Sequence, residues 1–167
     1  LLSRQADSGG PARSHDVKDN DVTGRYGPGR VGIIVEMGRP VLGTTLREVQ
    51  KVTEALAALG IPTLKLREIG DLVVDESTGR LRDDILDEKV NRCYVEVEVS
   101  LEQAPIVLQR LREVARGVNT VFAVGLISLV GGDGSVPTIA VAQELGMEVS
   151  INGKTNVGLG RPLVRFS

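Results

Sequence analysis

Two stretches of the chain carry hydrophobic patterns that are typical of β-strands. The run "VGIIVEM", which begins at Val31, is almost continuously apolar and predicts a central strand that is buried on both sides. The stretch "CYVEVEV" alternates instead, with Cys93 and the valines on one side and Tyr94, Glu96 and Glu98 on the other. Such alternation predicts an antiparallel strand with one face in water.

Two other stretches show helical spacing, and we expect helices at 45–59 and 101–116 on one face of the sheet. Thr45 with Glu48, and Ser100 with Gln103, have the spacing of capping boxes that start helices. Gly60 predicts the left-handed residue that ends the first helix. The apolar residues of that helix recur every three or four positions, at Leu46, Val49, Val52, Leu56 and Leu59.

The predicted elements follow the order β-α-β-β-α-β. Residues 62–74 supply one or two strands and residues 118–130 a long one. This order predicts a mixed α/β (α+β) fold, a ferredoxin-like sandwich with a C-terminal αββ extension. The alternative is a doubly wound parallel α/β sheet, which explains the apolar first strand but accommodates the alternating Glu96 and Glu98 poorly.

Residues 1–30 are polar, rich in glycine and proline, and without periodicity. We expect them to form an arm ahead of a single α/β domain at 31–167, because such a segment buries too little to fold alone. A polar arm of this kind, together with Tyr94 on the wet side of a valine-rich strand, favours contacts between subunits and predicts a homo-oligomer.

The composition of the chain bears on which classes of partner it binds and on the cellular compartment in which it works. A net charge of −2 without a basic cluster argues against nucleic acid, and no stretch is long and apolar enough to predict a membrane span. The single cysteine, Cys93, shares a strand face with valines, so we expect it in the core. A chain with one cysteine cannot form an internal disulfide, which favours the reducing cytoplasm. The one histidine, His15, lies in the arm.

The stretch "SLVGGDGSVPT" at 128–138 is the strongest candidate site. It places glycines between a predicted strand and a helix, where unpaired N–H groups and the helix dipole favour anions. A carboxylate there needs a metal such as Mg²⁺ between itself and a phosphate. The candidate ligand-binding residues are Gly131, Gly132, Asp133, Gly134 and Ser135, with Asp133 as the metal ligand. Ser135 can either cap the helix or contact a phosphate oxygen. The same residues also suit a plain turn between a strand and a helix.

This "GGDGS" loop resembles the GGDG[ST] loop of phosphofructokinases and of NAD and diacylglycerol kinases. The resemblance covers about 30 residues and implies that the glycines surround phosphates and that Asp133 faces a metal–phosphate group. It also implies that Thr155, in "GKT", lies near the acceptor. Where that family has two aspartates, one of them the catalytic base, this chain has Val157 and Leu159.

A second glycine-rich loop at 152–161 adds Lys154, Thr155 and Arg161 as candidate partners of an anion. Three hypotheses therefore stand: a protein that binds an anionic or phosphorylated metabolite, with Mg²⁺ as its one candidate cofactor; a non-catalytic oligomeric module for regulation or assembly; and a degenerate phosphotransferase. Whether the chain is an enzyme stays open. A weaker candidate cation site has four acidic residues that we expect to form a solvated face: Asp83, Asp84, Asp87 and Glu88.

Overall fold

The computed structural model describes residues 25–39, 41–65 and 68–149. The main sheet has three strands in the order β6-β1-β7. They are β1 at Arg30–Met37, β6 at Cys93–Ser100 and β7 at Phe122–Ile127. Both pairs are antiparallel, with Ile34 opposite Glu96 on one side and opposite Gly125 on the other. The mixed α/β prediction is confirmed. The parallel alternative is wrong for these strands.

Two 12-residue helices cover one face of this sheet: α1 at Leu46–Ala57 and α3 at Ala104–Ala115. They contact each other and bury their apolar stripes on the odd-numbered residues of β1 and β6. Burial of these apolar side chains between the helices and the sheet is the main contribution to the stability of the fold. The buried strand residues on this side are Val31, Ile33, Val35, Met37, Cys93, Val95, Val97 and Val99.

The starts of the two helices differ from each other. Ser100 and Gln103 form the predicted reciprocal bonds, since each backbone N–H donates to the other side chain, but these bonds close a turn ahead of α3. The helix begins at Ala104 rather than at 101, and its N-cap is Gln103. Thr45 is the N-cap of α1, but its side chain makes no capping bond. Glu48 instead accepts a bond from the N–H of Asn119, so the predicted capping box is wrong at this helix. Gly60 has the predicted left-handed φ of 73°.

The segment predicted as one or two strands at 62–74 folds differently. It forms a short helix, α2, at Glu68–Leu72, followed by β3 at Val73–Asp75. Ile69 is buried, and a side chain at Gly70 would collide with the carbonyl of Leu64. Close packing at a glycine therefore holds a helical turn where the apolar pattern predicts a strand.

The remaining elements are short. β2 at Thr44–Thr45 pairs with β5 at Lys89–Val90, and β3 pairs with β4 at Arg80–Leu81. A 3₁₀ turn covers Asp83–Ile85. The helix of the predicted extension forms as α4 at Pro137–Glu144. The two strands predicted after it lie outside the described residues, apart from 147–149, which form no strand. No helix in the described ranges has the length and apolar character to cross a bilayer.

Candidate functional site

The glycine-rich loop at 131–135 connects β7 to α4, as predicted. Its residues from Gly132 onward are exposed. Gly134 has a φ of 82°, a conformation that favours glycine. Gly132 has no such φ, and nothing lies within 4 Å of the position that a Cβ would take there. The loop is thus open to solvent. Its backbone conformation requires glycine at position 134 but not at position 132.

The loop uses several of its polar groups on itself. The N–H of Gly131 donates to the carbonyl of Ser135 at 2.8 Å, and the N–H of Gly134 donates to the carbonyl of Gly131 at 2.9 Å. The N–H of Ser135 donates to Oδ1 of Asp133 at 2.9 Å. The hydroxyl and N–H of Ser135 hold the pKa of Asp133 below its usual range. These bonds form a closed turn whose carboxylate already has donors.

The start of α4 departs from the prediction for Ser135. The N-cap is Val136, without a capping bond from its side chain, and Pro137 occupies the first turn. Of the two roles considered for Ser135, it does not take that of the helix cap, because its N–H and hydroxyl are directed to Asp133. The Asp133 carboxylate faces the loop's own N–H groups, and no group of three potential metal-binding side chains occurs in the described ranges.

The other predicted partners of an anion, Lys154, Thr155 and Arg161, lie outside the described residues. The acidic residues considered for a cation site lie within the described residues. Three of them form ion pairs with arginines: Asp83 with Arg80, Asp84 with Arg82, and Asp87 with Arg47. All six side chains are largely exposed, so these pairs add little stability.

A polar cluster on the other side of the sheet was not predicted. We call the side opposite α1 and α3 the glutamate face; it carries Glu36, Tyr94, Glu96 and Glu98. Glu96 was expected in solvent, but it is only 2% exposed. The hydroxyl of Tyr26 donates to its carboxylate at 2.5 Å, and Arg25 lies 3.2 Å away.

The position of Tyr26 explains this burial. Its ring lies on Gly32, where a Cβ would come within 2.4 Å of a ring carbon. Burial and the bond to Glu96 raise the pKa of the Tyr26 hydroxyl well above its usual range. Tyr26 belongs to the predicted polar arm, yet it is almost fully buried. The glycine in β1 was the available signal, because a glycine inside a strand often marks a close approach.

The rest of the glutamate face repeats the pairing of glutamate with arginine. Glu36 accepts a bond from the hydroxyl of Tyr94 at 3.2 Å and lies 3.6 Å from Arg39. Glu98 bonds Arg30 at 2.7 Å. Burial, with the nearby charge of Glu36, raises the pKa of Tyr94. Each glutamate on this face therefore has a cationic partner.

A third feature is a strip of exposed apolar side chains beside β7. The hydroxyls of Ser128 and Thr138 lie 3.1 Å apart and bring the end of β7 next to the start of α4. We call the exposed residues along this path the β7 strip: Val124, Leu129, Val130 and Ile139, which are 38–48% exposed. Exposed apolar patches mark contact surfaces, and within the strip Leu129 and Val130 are neighbours in the chain.

Comparison of the chain with family models, curated proteins and solved structures found no match. The function is therefore inferred from the geometry of the chain itself.

Proposed function

We propose that this chain is a non-catalytic, self-associating α/β module of ferredoxin-like type that acts in assembly or regulation. The observation that carries the proposal is the β7 strip, where a strand without charged residues continues into exposed Leu129 and Val130. A lone monomer exposes this apolar area to water, and association removes it.

The strand arrangement supports the ferredoxin-like type. In that fold four antiparallel strands have the order 4-1-3-2, and β7-β1-β6 corresponds to its first three positions. At the outer edge of β6, where the fourth strand belongs, the N–H of Leu64 donates to the carbonyl of Glu96 at 2.8 Å. α1 and α3 share one face, as the fold requires.

The metabolite-binding hypothesis has less support from the loop at 131–135. An anion site at a helix start needs N–H groups that point to a ligand, but those of Gly131, Gly134 and Ser135 bond within the loop. Asp133 would also repel a phosphate unless Mg²⁺ lay between them. A cytoplasmic setting stays part of the proposal and is supported by the single, buried cysteine.

Two measurements on the full chain test the proposal. We expect light scattering to show an oligomer at micromolar concentration, whereas a monomer would contradict it. We expect a thermal-shift screen of phosphorylated metabolites and nucleotides, with and without Mg²⁺, to give no loop-dependent rise in melting temperature.

Gly132→Val is the matched variant for that screen, since a side chain fits there without strain and would obstruct an anion. Stabilisation by a phosphorylated compound that disappears in Gly132→Val would favour metabolite binding and replace our proposal. If Asp133→Asn then removed only the Mg²⁺-dependent part, the kinase-like role of Asp133 would be supported.

A further inference from the structure

We propose that β7 pairs with β7 of a second copy of this chain, antiparallel and about a two-fold axis at Val124. The two three-stranded sheets then join into one continuous sheet. This inference rests on the self-association proposed above and names its surface, its partner and its register.

The direction of the main-chain groups of β7 follows from one hydrogen bond at its start. The N–H of Gly38 donates to the carbonyl of Val121 at 3.1 Å, so Val121 faces β1. In an antiparallel pair, alternate residues face the partner strand, and the register is continuous from Met37–Phe122 to Gly32–Ile127. Ala123, like every second residue after it, therefore directs its N–H and carbonyl toward β1.

The intervening residues, Phe122, Val124 and Leu126, direct their main-chain groups away from β1. Within the described residues no strand pairs with that side of β7. A two-fold axis at Val124 places it opposite Val124 of the second copy, and places Phe122 opposite Leu126. In each of these pairs both residues point outward, so each pair exchanges two hydrogen bonds. The strand is self-complementary in this register.

The side chains fit the same arrangement. Phe122, Val124 and Leu126 lie on the helix side of the sheet, since they are opposite Met37, Val35 and Ile33. Cross-strand pairs of aromatic and branched residues stabilise sheets. Val124, 39% exposed at the edge, would be covered at the centre of the interface.

The edge also lacks the features that keep sheets apart. Protected edges carry lysine, proline or a bulge, but β7 has the sequence FAVGLI and pairs with β1 without a register shift. A partner strand for an uncharged edge should itself be uncharged. A second copy meets this condition, and self-pairing brings no like charges together.

Cysteine cross-linking tests the register directly. Opposite residues of a hydrogen-bonded pair have Cα atoms about 5.5 Å apart, which a disulfide spans. We expect Val124→Cys to form a covalent dimer under mild oxidation. Ile106→Cys, on an exposed position of α3, is the matched control and should stay uncross-linked.

A charge at the axis tests the contact independently. Val124→Lys places two ammonium groups opposite each other, and we expect at least a tenfold weaker association by sedimentation equilibrium. Ile106→Lys changes the net charge equally and should associate like the wild type. Circular dichroism checks the fold, and cross-linking decides the matter if Val124→Lys does not fold.

The outcomes separate the two proposals. If the wild type associates but Val124→Cys does not cross-link above the control, the β7 register is wrong and self-association stands. If Val124→Lys folds and associates as tightly as the wild type, the edge contact is also wrong. A wild type that is monomeric contradicts both proposals.

Discussion

Replacement of Tyr26 by phenylalanine tests the buried cluster on the glutamate face. The variant keeps the ring on Gly32 and removes only the hydroxyl that donates to Glu96 at 2.5 Å. Tyr26 is 1% exposed and Glu96 2%. Because water does not readily replace a bond to a buried carboxylate, we expect Tyr26→Phe to lower the free energy of unfolding by about 1.5–3 kcal/mol.

The same cluster predicts a dependence on alkaline pH. The folded state raises the pKa of Tyr26, so the unfolded chain loses this proton first as the pH increases. The stabilisation is complete below the unfolded pKa of about 10 and falls by about 1.4 kcal/mol per pH unit above it. The phenylalanine variant has no hydroxyl proton to lose, so the difference in unfolding free energy between the two proteins should shrink by about 1 kcal/mol between pH 10 and 11, where the unfolded tyrosine is still partly protonated.

Urea unfolding of both proteins at pH 8, 10 and 11 measures these free energies. Tyr94→Phe is the matched control, because its hydroxyl donates to Glu36 over 3.2 Å from a partly exposed position. We expect it to cost less than 1 kcal/mol at pH 8, which is typical of a weaker bond. Equal costs for the two variants, or a constant difference across the pH range, would refute the buried cluster.

Two further predictions concern α1. Gly79→Ala should cost about 3 kcal/mol or more in urea unfolding, because its φ is 74° and a Cβ would lie 2.3 Å from the carbonyl of Thr53. Gly60→Ala, at a φ of 73° with open space, should cost about 1–2 kcal/mol, and equal losses would contradict the packing at Gly79. Burial raises the pKa of Glu48, but bonds from Lys51 and a backbone N–H outweigh it and the pKa is lowered. Its contribution should therefore be present above pH about 4.5 and be lost in acid, so Glu48→Gln should show a smaller loss of stability between pH 6 and 3 than the wild type.

The main helices could be predicted because their signals are local. Apolar residues at helical spacing identify the face of α1 that is buried, and Ser100 bonds Gln103 within the turn that leads into α3. The antiparallel character of β6 was likewise predictable from its alternation. Each of these features depends on residues within about one helix length of each other, so no distant contact was needed to infer them.

The glutamate face could not be predicted because its partners are distant in sequence. Alternation placed Glu96 on the side away from α3 correctly, but its burial depends on Tyr26, 70 residues earlier in the chain. Composition alone placed Tyr26 in a polar arm. For the same reason α2 was missed, since it packs against β6, which follows much later in the chain.

The loop at 131–135 shows how one sequence pattern serves two structures. Glycines, an aspartate and a serine before a helix provide an anion site when their N–H groups stay available, and a closed turn when the side chains accept them. Here Asp133 accepts from Ser135, which favours the turn. Whether such a loop forms an anion site or a closed turn depends on hydrogen bonds within the loop, and the composition of the loop does not determine these bonds.

The arrangement of charge around the sheet then favours its edge as the contact surface. One face is covered by α1 and α3. On the other, each glutamate already bonds a cation, as Glu98 does with Arg30, so a partner docking there would have to break or desolvate existing ion pairs. Pairing along β7 requires no such loss: Val124 gains apolar cover, and outward main-chain groups exchange water for hydrogen bonds that match them in number and spacing. Association along β7 therefore breaks no ion pair, whereas docking on the glutamate face would have to disturb three.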